Sequence, residues 1–237
     1  MTVPGEPPAA PERPADPRTR LPAADRLRVN EVFYSLQGES TFAGRPCVLV
    51  RLTGCQMRCV WCDSEYSFYE GAWQTVDEVV AQVLAFGCPL AEVTGGEPLL
   101  QPGVHTLLAR LADESLEVLL ETGGGLDIAQ VDPRVRRIVD VKCPGSGEAG
   151  NNLWANLDEL REGDELKFVL ADEDDYEWAR DLVRERGLGE RVAVLFSVVH
   201  GGLSLRVLAD RVLADRLPVR VQTQLHKLIW GADERGV

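Results

Sequence analysis

One short segment of the chain constrains its fold and chemistry more than any other, because it places three cysteines within eight residues. Cys55, Cys59 and Cys62 come directly after the apolar run at residues 48–52, a pattern that is typical of a buried strand. The spacing Cys-x3-Cys-x2-Cys lets one loop bring three thiolates to a common point, as an iron–sulfur cluster or a zinc ion requires. Three thiolates on a four-iron cluster leave one iron open, which favours a catalytic role.

A zinc site is the alternative, since zinc also binds thiolates. Structural zinc sites have four protein ligands, and no paired cysteine or histidine motif follows Cys62. The remaining cysteines, Cys47, Cys88 and Cys143, are scattered along the chain, and we expect each to be a small buried hydrophobic residue. A zinc-binding interaction module built on the three clustered cysteines is therefore the less favoured interpretation.

Composition sets limits on the class of protein. The chain has 237 residues, of which 45% are hydrophobic, enough for a substantial core. Its formal net charge of −13 argues against a nucleic-acid-binding surface, which would be basic. No apolar run approaches the roughly 18 residues that a membrane span needs. Six cysteines, three of them clustered, fit a reducing compartment, so we expect a cytoplasmic protein that binds neither nucleic acid nor a membrane.

The first 28 residues differ in composition from the rest of the chain. They are rich in Pro, Ala, Arg and Asp and contain no apolar segment of the kind that a signal peptide requires. Such a composition buries too little apolar surface to offset the entropy lost on ordering. We therefore predict a disordered extension at residues 1–28 and one catalytic domain at residues 29–237.

Short apolar runs alternate with amphipathic helical patterns through this domain, which is typical of parallel βαβ units. Thr75 and Glu78 form a capping-box pattern at the start of the first helix. The predicted fold class is α/β, a partial (β/α) barrel of about six parallel strands. Strands are predicted at residues 31–36, 47–52, 91–94, 116–122, 137–142, 165–170, 192–197 and 219–223, and helices near 76–84, 104–111, 174–186 and 205–213. The polar motifs follow strand ends, where the active sites of such sheets lie.

A second motif, Thr94-Gly95-Gly96-Glu97-Pro98, follows the third predicted strand. Its two glycines let the backbone approach a ligand closely. Together, the cysteine loop and this motif resemble the radical S-adenosylmethionine (SAM) superfamily. The resemblance implies a 4Fe–4S cluster on the three clustered cysteines, with SAM chelating the open iron. An electron from the cluster would then cleave SAM to methionine and a 5′-deoxyadenosyl radical.

The same resemblance implies a set of SAM-binding residues. The glycine motif contacts the SAM amino group in that superfamily, and a carboxylate after a later strand can bind ribose or methionine. The loop that begins at Lys142 departs from the Pro-Pro-Ser-Ser found in some relatives. The residues expected to bind SAM are Trp61, Asp63, Gly95, Gly96, Glu97, Glu121, Asp140, Lys142 and Ser197.

Further motifs narrow the family. Residues 33–40, 51–55, 61–64, 140–142 and 224–230 occur in an order that resembles the 7-carboxy-7-deazaguanine synthase family over residues 29–237. That resemblance implies a lyase of queuosine and 7-deazapurine biosynthesis, converting 6-carboxy-5,6,7,8-tetrahydropterin to 7-carboxy-7-deazaguanine and ammonia. SAM is regenerated in that reaction. It also implies Mg²⁺ bound through the Ser64 hydroxyl, an electron donor such as flavodoxin or ferredoxin, and a homodimer.

Substrate-binding residues are carried over from the same family. A pterin edge presents hydrogen-bond donors and acceptors that an amide and a carboxylate can match, and an arginine inside an apolar strand needs an anion. That anion is either the substrate carboxylate or a neighbouring Asp or Glu. The residues are Leu36, Gln37, Gly38, Glu39, Arg51, Thr94 and His226. A glycyl-radical-enzyme activase shares the cysteine loop and remains an alternative, although it does not account for Gln37, Glu39 or His226.

Overall fold

The computed structural model describes residues 16–232 and 234–237, in which nine strands form a single sheet. Its strands are β1 Arg26–Leu36, β2 Pro46–Leu52, β3 Ala72–Thr75, β4 Leu90–Gly95, β5 Glu117–Thr122, β6 Arg136–Asp140, β7 Glu165–Leu170, β8 Ala193–Val198 and β9 Arg220–Val221. Its helices are α1 Val76–Ala85, α2 Gly103–Asp113, α3 Glu173–Arg186, α4 Leu205–Asp215 and α5 Leu225–Ile229. The strand order is β3-β1-β2-β4-β5-β6-β7-β8-β9.

Most of the sheet is parallel. Strands β2 and β4 to β9 run in the same direction, whereas β1 pairs antiparallel with both β2 and β3. Across the described residues the sheet stays open, with β3 and β9 at its two edges. This confirms the predicted α/β class and the partial barrel, whose six longer parallel strands are followed by the two-residue β9.

Successive side chains of each parallel strand point to opposite faces of the sheet, one covered by helices and the other concave. In β7, Phe168 is fully buried in the hydrophobic core, where its ring packs edge-to-face on Phe196 of β8 at 5.3 Å. Tyr176 of α3 packs on the same Phe196 ring. The intervening residues of β7, Lys167 and Val169, line a cavity on the concave face. The alternation thus supplies a core on one side and a site on the other.

The predicted N-terminal boundary is wrong over residues 16–28. Two 3₁₀ turns, Pro17–Arg20 and Ala23–Asp25, precede β1, which begins at Arg26. Residues 26–29 pair with β3, a strand that the sequence patterns did not predict, and Leu27 is fully buried. Tertiary pairing therefore orders a segment whose own composition favours disorder. The rest of the predicted extension, residues 1–15, lies outside the described residues.

The glycine- and asparagine-rich segment after β6 forms three 3₁₀ turns: Pro144–Ser146, Ala149–Asn151 and Trp154–Leu157. Asn156 holds it in place, since its side-chain amide donates to the backbone oxygens of Gly124 at 3.1 Å and Leu126 at 2.8 Å. Among the described residues, no helix is long and apolar enough to cross a membrane.

Candidate active site

A cavity of about 750 Å³ opens at the carboxyl ends of the parallel strands. Every residue predicted to bind the cluster, SAM, Mg²⁺ or substrate lines it, except Glu97. The topology therefore brings together side chains from segments as far apart in sequence as Leu36 and His226. What each residue binds stays a prediction.

The cysteine loop is anchored to the sheet and to the turns after β6. Gly54 N–H donates to the Ser67 backbone oxygen at 2.9 Å, and the Gly54 oxygen accepts from Glu97 N–H at 2.7 Å. On its other side, Arg58 N–H donates to the Glu148 carboxylate at 2.6 Å. Met57 is 2% exposed and packs against the loop that follows β5. The loop between Cys55 and Cys62 is thus held at several points before any ligand binds.

The three clustered thiols have the chemistry that an iron–sulfur cluster needs. Cys55, Cys59 and Cys62 are free, half-buried and line the same cavity. Burial raises the pKa of the Cys55 and Cys59 thiols, an effect that the Lys142 ammonium opposes. Within residues 16–232 and 234–237, no three Cys, His, Asp or Glu side chains converge closely enough to hold a single metal ion. A four-iron cluster fits the three thiols because each thiolate binds a different iron, whereas a structural zinc site needs four ligands on one ion.

The glycine motif allows β4 to approach the cysteine loop. A Cβ atom on Gly96 would lie 2.4 Å from the Gly54 oxygen and 2.8 Å from the Cys55 Cβ. A Cβ atom on Gly95 would lie 2.4 Å from the Leu52 oxygen. Both positions therefore require glycine, and the close approach places backbone groups of the motif beside the thiols, where the methionine end of SAM would bind.

Glu97 has a different place from the one predicted. It is fully buried beneath the cavity rather than on its wall. Its carboxylate accepts hydrogen bonds from Thr122 Oγ1, from Gly123 N–H at 2.8 Å and from Leu99 N–H at 3.0 Å. Glu97 thus joins the ends of β4 and β5. The motif pattern could not distinguish this role from a ligand contact, because two of the partners, Thr122 and Gly123, lie 25 and 26 residues away.

Lys167 is the main residue that the sequence patterns missed. Its ammonium is buried and pairs with Glu39 at 2.8 Å, with Asp140 at 3.2 Å and with Glu121. Burial by itself lowers the pKa of Lys167, but the three carboxylates outweigh it and raise that pKa well above its usual value. The signal that could have found it is a lysine at an inward-facing position of an otherwise apolar strand.

Asp140 connects this lysine to a second one. Its Oδ2 atom accepts a hydrogen bond from Lys142 Nζ at 2.6 Å. Although burial opposes ionisation, Lys142 and Lys167 lower the pKa of Asp140. The buried Oδ1 atom of Asp140 accepts no hydrogen bond from the described residues. Oδ1 lies 3.2 Å from the Lys167 ammonium, an ion pair without a hydrogen bond. It therefore keeps acceptor capacity on the wall of the cavity, which fits a ligand with a hydrogen-bond donor, as SAM has in its ribose and amino groups.

Gln37 has both ends of its side-chain amide engaged. Its Nε2 donates to the Glu92 carboxyl group, and its Oε1 accepts from the Glu39 backbone N–H. Burial, followed by the nearby Glu121 charge, raises the pKa of Glu92 to about 8. The amide therefore shapes the Gly38–Glu39 turn that faces the cavity. Glu92 was not predicted as a site residue, although it too lies on an inward-facing strand position.

Arg51 has the alternative partner that the sequence left open. Its Nε donates to Glu31 at 2.8 Å, and Tyr66 Oη donates to the same carboxylate at 3.0 Å. Near the end of the chain, the Arg235 guanidinium lies 3.8 Å from the centre of the Tyr66 ring and 3.6 Å from the Glu70 carboxylate. Residues 234–237 line the cavity, and these contacts hold them there.

His226 lies in α5 and packs over the turn after β1. A Cβ atom on Gly38 would lie 3.2 Å from its Nδ1, and Leu225 N–H donates to the Gly38 oxygen at 3.0 Å. Lys227 pairs with Asp63 at 2.7 Å. Helix α5 was not predicted, and these contacts explain how a five-residue helix is held over the cavity.

Ser64 lies beside the last cluster cysteine, with its Oγ 3.8 Å from Cys62 Sγ. A single hydroxyl fits Mg²⁺, which usually keeps several waters and takes only one or two protein oxygens. The other three cysteines are buried, with Cys47 fully buried, Cys88 6% exposed and Cys143 1% exposed. This confirms that they are small core residues.

Comparison with known proteins gives the family. The model of the radical SAM superfamily matches residues 49–144. The 7-carboxy-7-deazaguanine synthase of Chlorobaculum tepidum is 50% identical over 214 residues, covering 89% of this chain and 97% of that protein. The enzyme of the same name from Koribacter versatilis is 44% identical, covering 89% of this chain and all of that protein.

The fold has a match among solved structures. The crystal structure of QueE from Escherichia coli superposes with a TM-score of 0.70 at 21% sequence identity, covering 85% of this chain and 95% of that one. The likeness supports the open, mostly parallel sheet. The relatives favour this family over the two alternatives left open above, a zinc-binding module and a glycyl-radical-enzyme activase. By its sequence, the chain belongs to the 7-carboxy-7-deazaguanine synthase family.

Proposed function

We propose that the protein converts 6-carboxy-5,6,7,8-tetrahydropterin to 7-carboxy-7-deazaguanine and ammonia. One observation carries this proposal: the three clustered cysteines, the glycine motif and the predicted pterin-binding residues open onto a single cavity of about 750 Å³. A cavity of this size suits one cofactor and one small substrate bound side by side. The two relatives described above align with 89% of this chain, and their names support the same activity.

Cys55, Cys59 and Cys62 would hold the 4Fe–4S cluster, and the backbone of Gly95 and Gly96 would bind SAM beside it. Bound together, the cluster and SAM supply the radical that takes a hydrogen atom from the substrate. Asp140 would accept hydrogen bonds from SAM through its Oδ1, which accepts none from the described residues. Thr94 Oγ1 donates to Glu121 at 3.3 Å, which links a predicted substrate-binding residue to a predicted SAM-binding residue.

The residues predicted to bind the substrate include hydrogen-bond acceptors and one arginine. Glu39 accepts hydrogen bonds from the amino groups of the pterin edge. Within the described residues, Arg51 donates a hydrogen bond only from its Nε, to Glu31, so its two terminal nitrogens remain for the substrate carboxylate. Ser64 would supply a hydroxyl oxygen to Mg²⁺, an ion that would help to neutralise the substrate carboxylate. Residues 234–237 would exclude water from the bound substrate.

The cluster also needs a reductant. We infer a flavodoxin or ferredoxin as the physiological donor and a homodimer as the assembly, both by resemblance to the family. We assign the protein to the cytoplasm, because all six cysteines lie in the described part of the chain as free thiols. Sedimentation velocity tests the dimer, and reduction of the reconstituted cluster by each donor protein tests the partner.

The decisive experiment is an anaerobic assay of the reconstituted protein with dithionite, SAM, Mg²⁺ and 6-carboxytetrahydropterin, with products followed by mass spectrometry. The expected result is formation of 7-carboxy-7-deazaguanine without net consumption of SAM. Cleavage of SAM to 5′-deoxyadenosine without that product would keep the superfamily chemistry and reject the substrate. Reactions lacking SAM or pterin are the controls.

A further inference from the structure

Lys167 has an environment that the assigned roles of its neighbours do not explain. It is 6% exposed, lies on β7, and places its ammonium among three carboxylates from three other parts of the chain. Glu39 comes from the turn after β1, Glu121 from β5 and Asp140 from β6. A lysine ammonium is a compact charge with three N–H bonds. It can therefore direct one donor at each of three carboxylates around it, whereas the donors of an arginine all lie in one plane.

The three carboxylates depend on Lys167 to different degrees. Asp140 has a second cation, Lys142, at 2.6 Å. Glu121 also accepts a hydrogen bond from Thr94 Oγ1 at 3.3 Å. The Glu39 side chain has no other hydrogen-bond or ion-pair partner than Lys167 among the described residues. Removal of the ammonium therefore leaves Glu39 unpaired, whereas Asp140 and Glu121 keep a partner.

This asymmetry leads to a specific role. We propose that Lys167 is a positioning residue for the substrate: it fixes the Glu39 carboxylate at the cavity wall and so controls pterin binding more than SAM binding. The inference rests on the proposed function, in which Glu39 contacts the pterin and Asp140 contacts SAM. A lysine that merely neutralised buried charge would affect both ligands alike.

The test compares the KM values for pterin and SAM in Lys167→Arg and Lys167→Met with those of the wild type. We expect the pterin KM to rise by about 10- to 100-fold, the range expected for a lost contact to a charged group. We expect the SAM KM to change by less than about 3-fold, since Asp140 keeps Lys142. Lys167→Arg is the decisive variant, because it keeps a cation among the three buried carboxylates, whereas Lys167→Met leaves them without their common cation. Tm of each variant is measured alongside the KM values.

Glu39→Gln provides an independent measurement. It should raise the pterin KM to a similar extent, and the Glu39→Gln/Lys167→Arg double variant should show no further rise, because both substitutions remove the same contact. The matched control is Arg137→Met. Arg137 forms a buried ion pair with Asp164 that lies outside the cavity, so this variant should lower Tm without separating the two KM values.

Three outcomes would each overturn the inference. They are a pterin KM within about 2-fold of wild type in Lys167→Arg, a SAM KM that rises as far as the pterin KM, and fully additive effects in the double variant. Wild-type turnover of the pterin is measured first. If the wild type is inactive on it, the proposed function fails and this inference with it; if the wild type is active and Lys167→Arg is normal, only this inference fails.

Discussion

Thr122 donates its hydroxyl to the buried carboxylate of Glu97, with both carboxylate oxygens 2.9 Å from its Oγ1. The contact joins the ends of β4 and β5 directly beneath the cavity. Because Glu97 also accepts two backbone N–H bonds, one carboxylate organises the strand ends that carry the glycine motif and Glu121. Burial raises the pKa of Glu97, and the hydrogen bonds that it accepts oppose the rise.

Glu97→Ala should destabilise the protein by about 2–4 kcal/mol, since it leaves three donors at Thr122, Gly123 and Leu99 without their acceptor. SAM binding should weaken as well, because the glycine motif loses its support. Urea unfolding at pH 7 and equilibrium binding of SAM measure the two effects. Exposed Glu185 is the control, and its replacement by Ala should change stability by less than about 0.5 kcal/mol. An unchanged unfolding midpoint in Glu97→Ala would show that the buried contacts carry no weight.

Cys59→Ala should abolish both the iron–sulfur cluster and turnover, because two thiolates do not hold a cluster that has one open iron. Iron content, visible absorption and product formation report the result. Cys88→Ala is the matched control: Cys88 is buried outside the cavity and donates to the Pro46 oxygen at 3.3 Å, so its replacement should retain colour and activity. Turnover in Cys59→Ala would contradict the cluster assignment.

Glu92 should make stability depend on pH. Its folded-state pKa of about 8 exceeds the ordinary value of 4.5, so the folded protein keeps a proton that the unfolded chain releases. The stabilisation is therefore complete below about pH 4.5 and is lost as the pH rises through about 8.

Glu92→Gln removes this titration and retains an acceptor for Gln37. Relative to that variant, wild-type stability should fall by on the order of 2–4 kcal/mol between pH 5 and pH 9. Denaturant unfolding of both proteins across that range is the measurement. Parallel pH profiles would mean that Glu92 titrates normally.

Arg235→Ala should raise the KM for the pterin about 3- to 10-fold with little change in Tm. A cation–π contact and a partly exposed ion pair each contribute up to about 1 kcal/mol, and both hold the end of the chain against the cavity. Arg206, which is 90% exposed, gives the control Arg206→Ala. Steady-state kinetics with each ligand varied separately distinguishes the two variants, and identical KM values would exclude a role for these contacts in substrate binding.

Ser64→Ala should increase the Mg²⁺ concentration needed for half-maximal turnover, because the cavity loses a hard oxygen ligand. Ser64→Thr keeps a hydroxyl and should remain close to wild type. Turnover measured against Mg²⁺ concentration, at constant ionic strength, compares the three proteins. Equal Mg²⁺ dependence in Ser64→Ala and wild type would place the ion elsewhere.

Much of the fold was predictable because it depends on local periodicity. Alternation of apolar strands and amphipathic helices gave the α/β class, and the capping box correctly placed the start of α1, where Thr75 and Glu78 form reciprocal hydrogen bonds. Strand β3 and helix α5 were missed, since four or five residues carry too little periodic signal. Their stability comes from partners distant in sequence, such as the pairing of β3 with residues 26–29.

For the site, the sequence by itself determined which chemistry is available: three thiols at cluster spacing, two glycines after a strand, and a set of polar residues at strand ends. These are properties of local spacing. Only the tertiary structure decided which groups meet. It buried Glu97 beneath the cavity, engaged Gln37 with Glu92, and placed Lys167 among carboxylates from three other segments. The physical reason is that burial and ion pairing depend on contacts between distant segments, such as Lys167 with Glu39 at 128 residues and Lys227 with Asp63 at 164 residues, which no local pattern encodes.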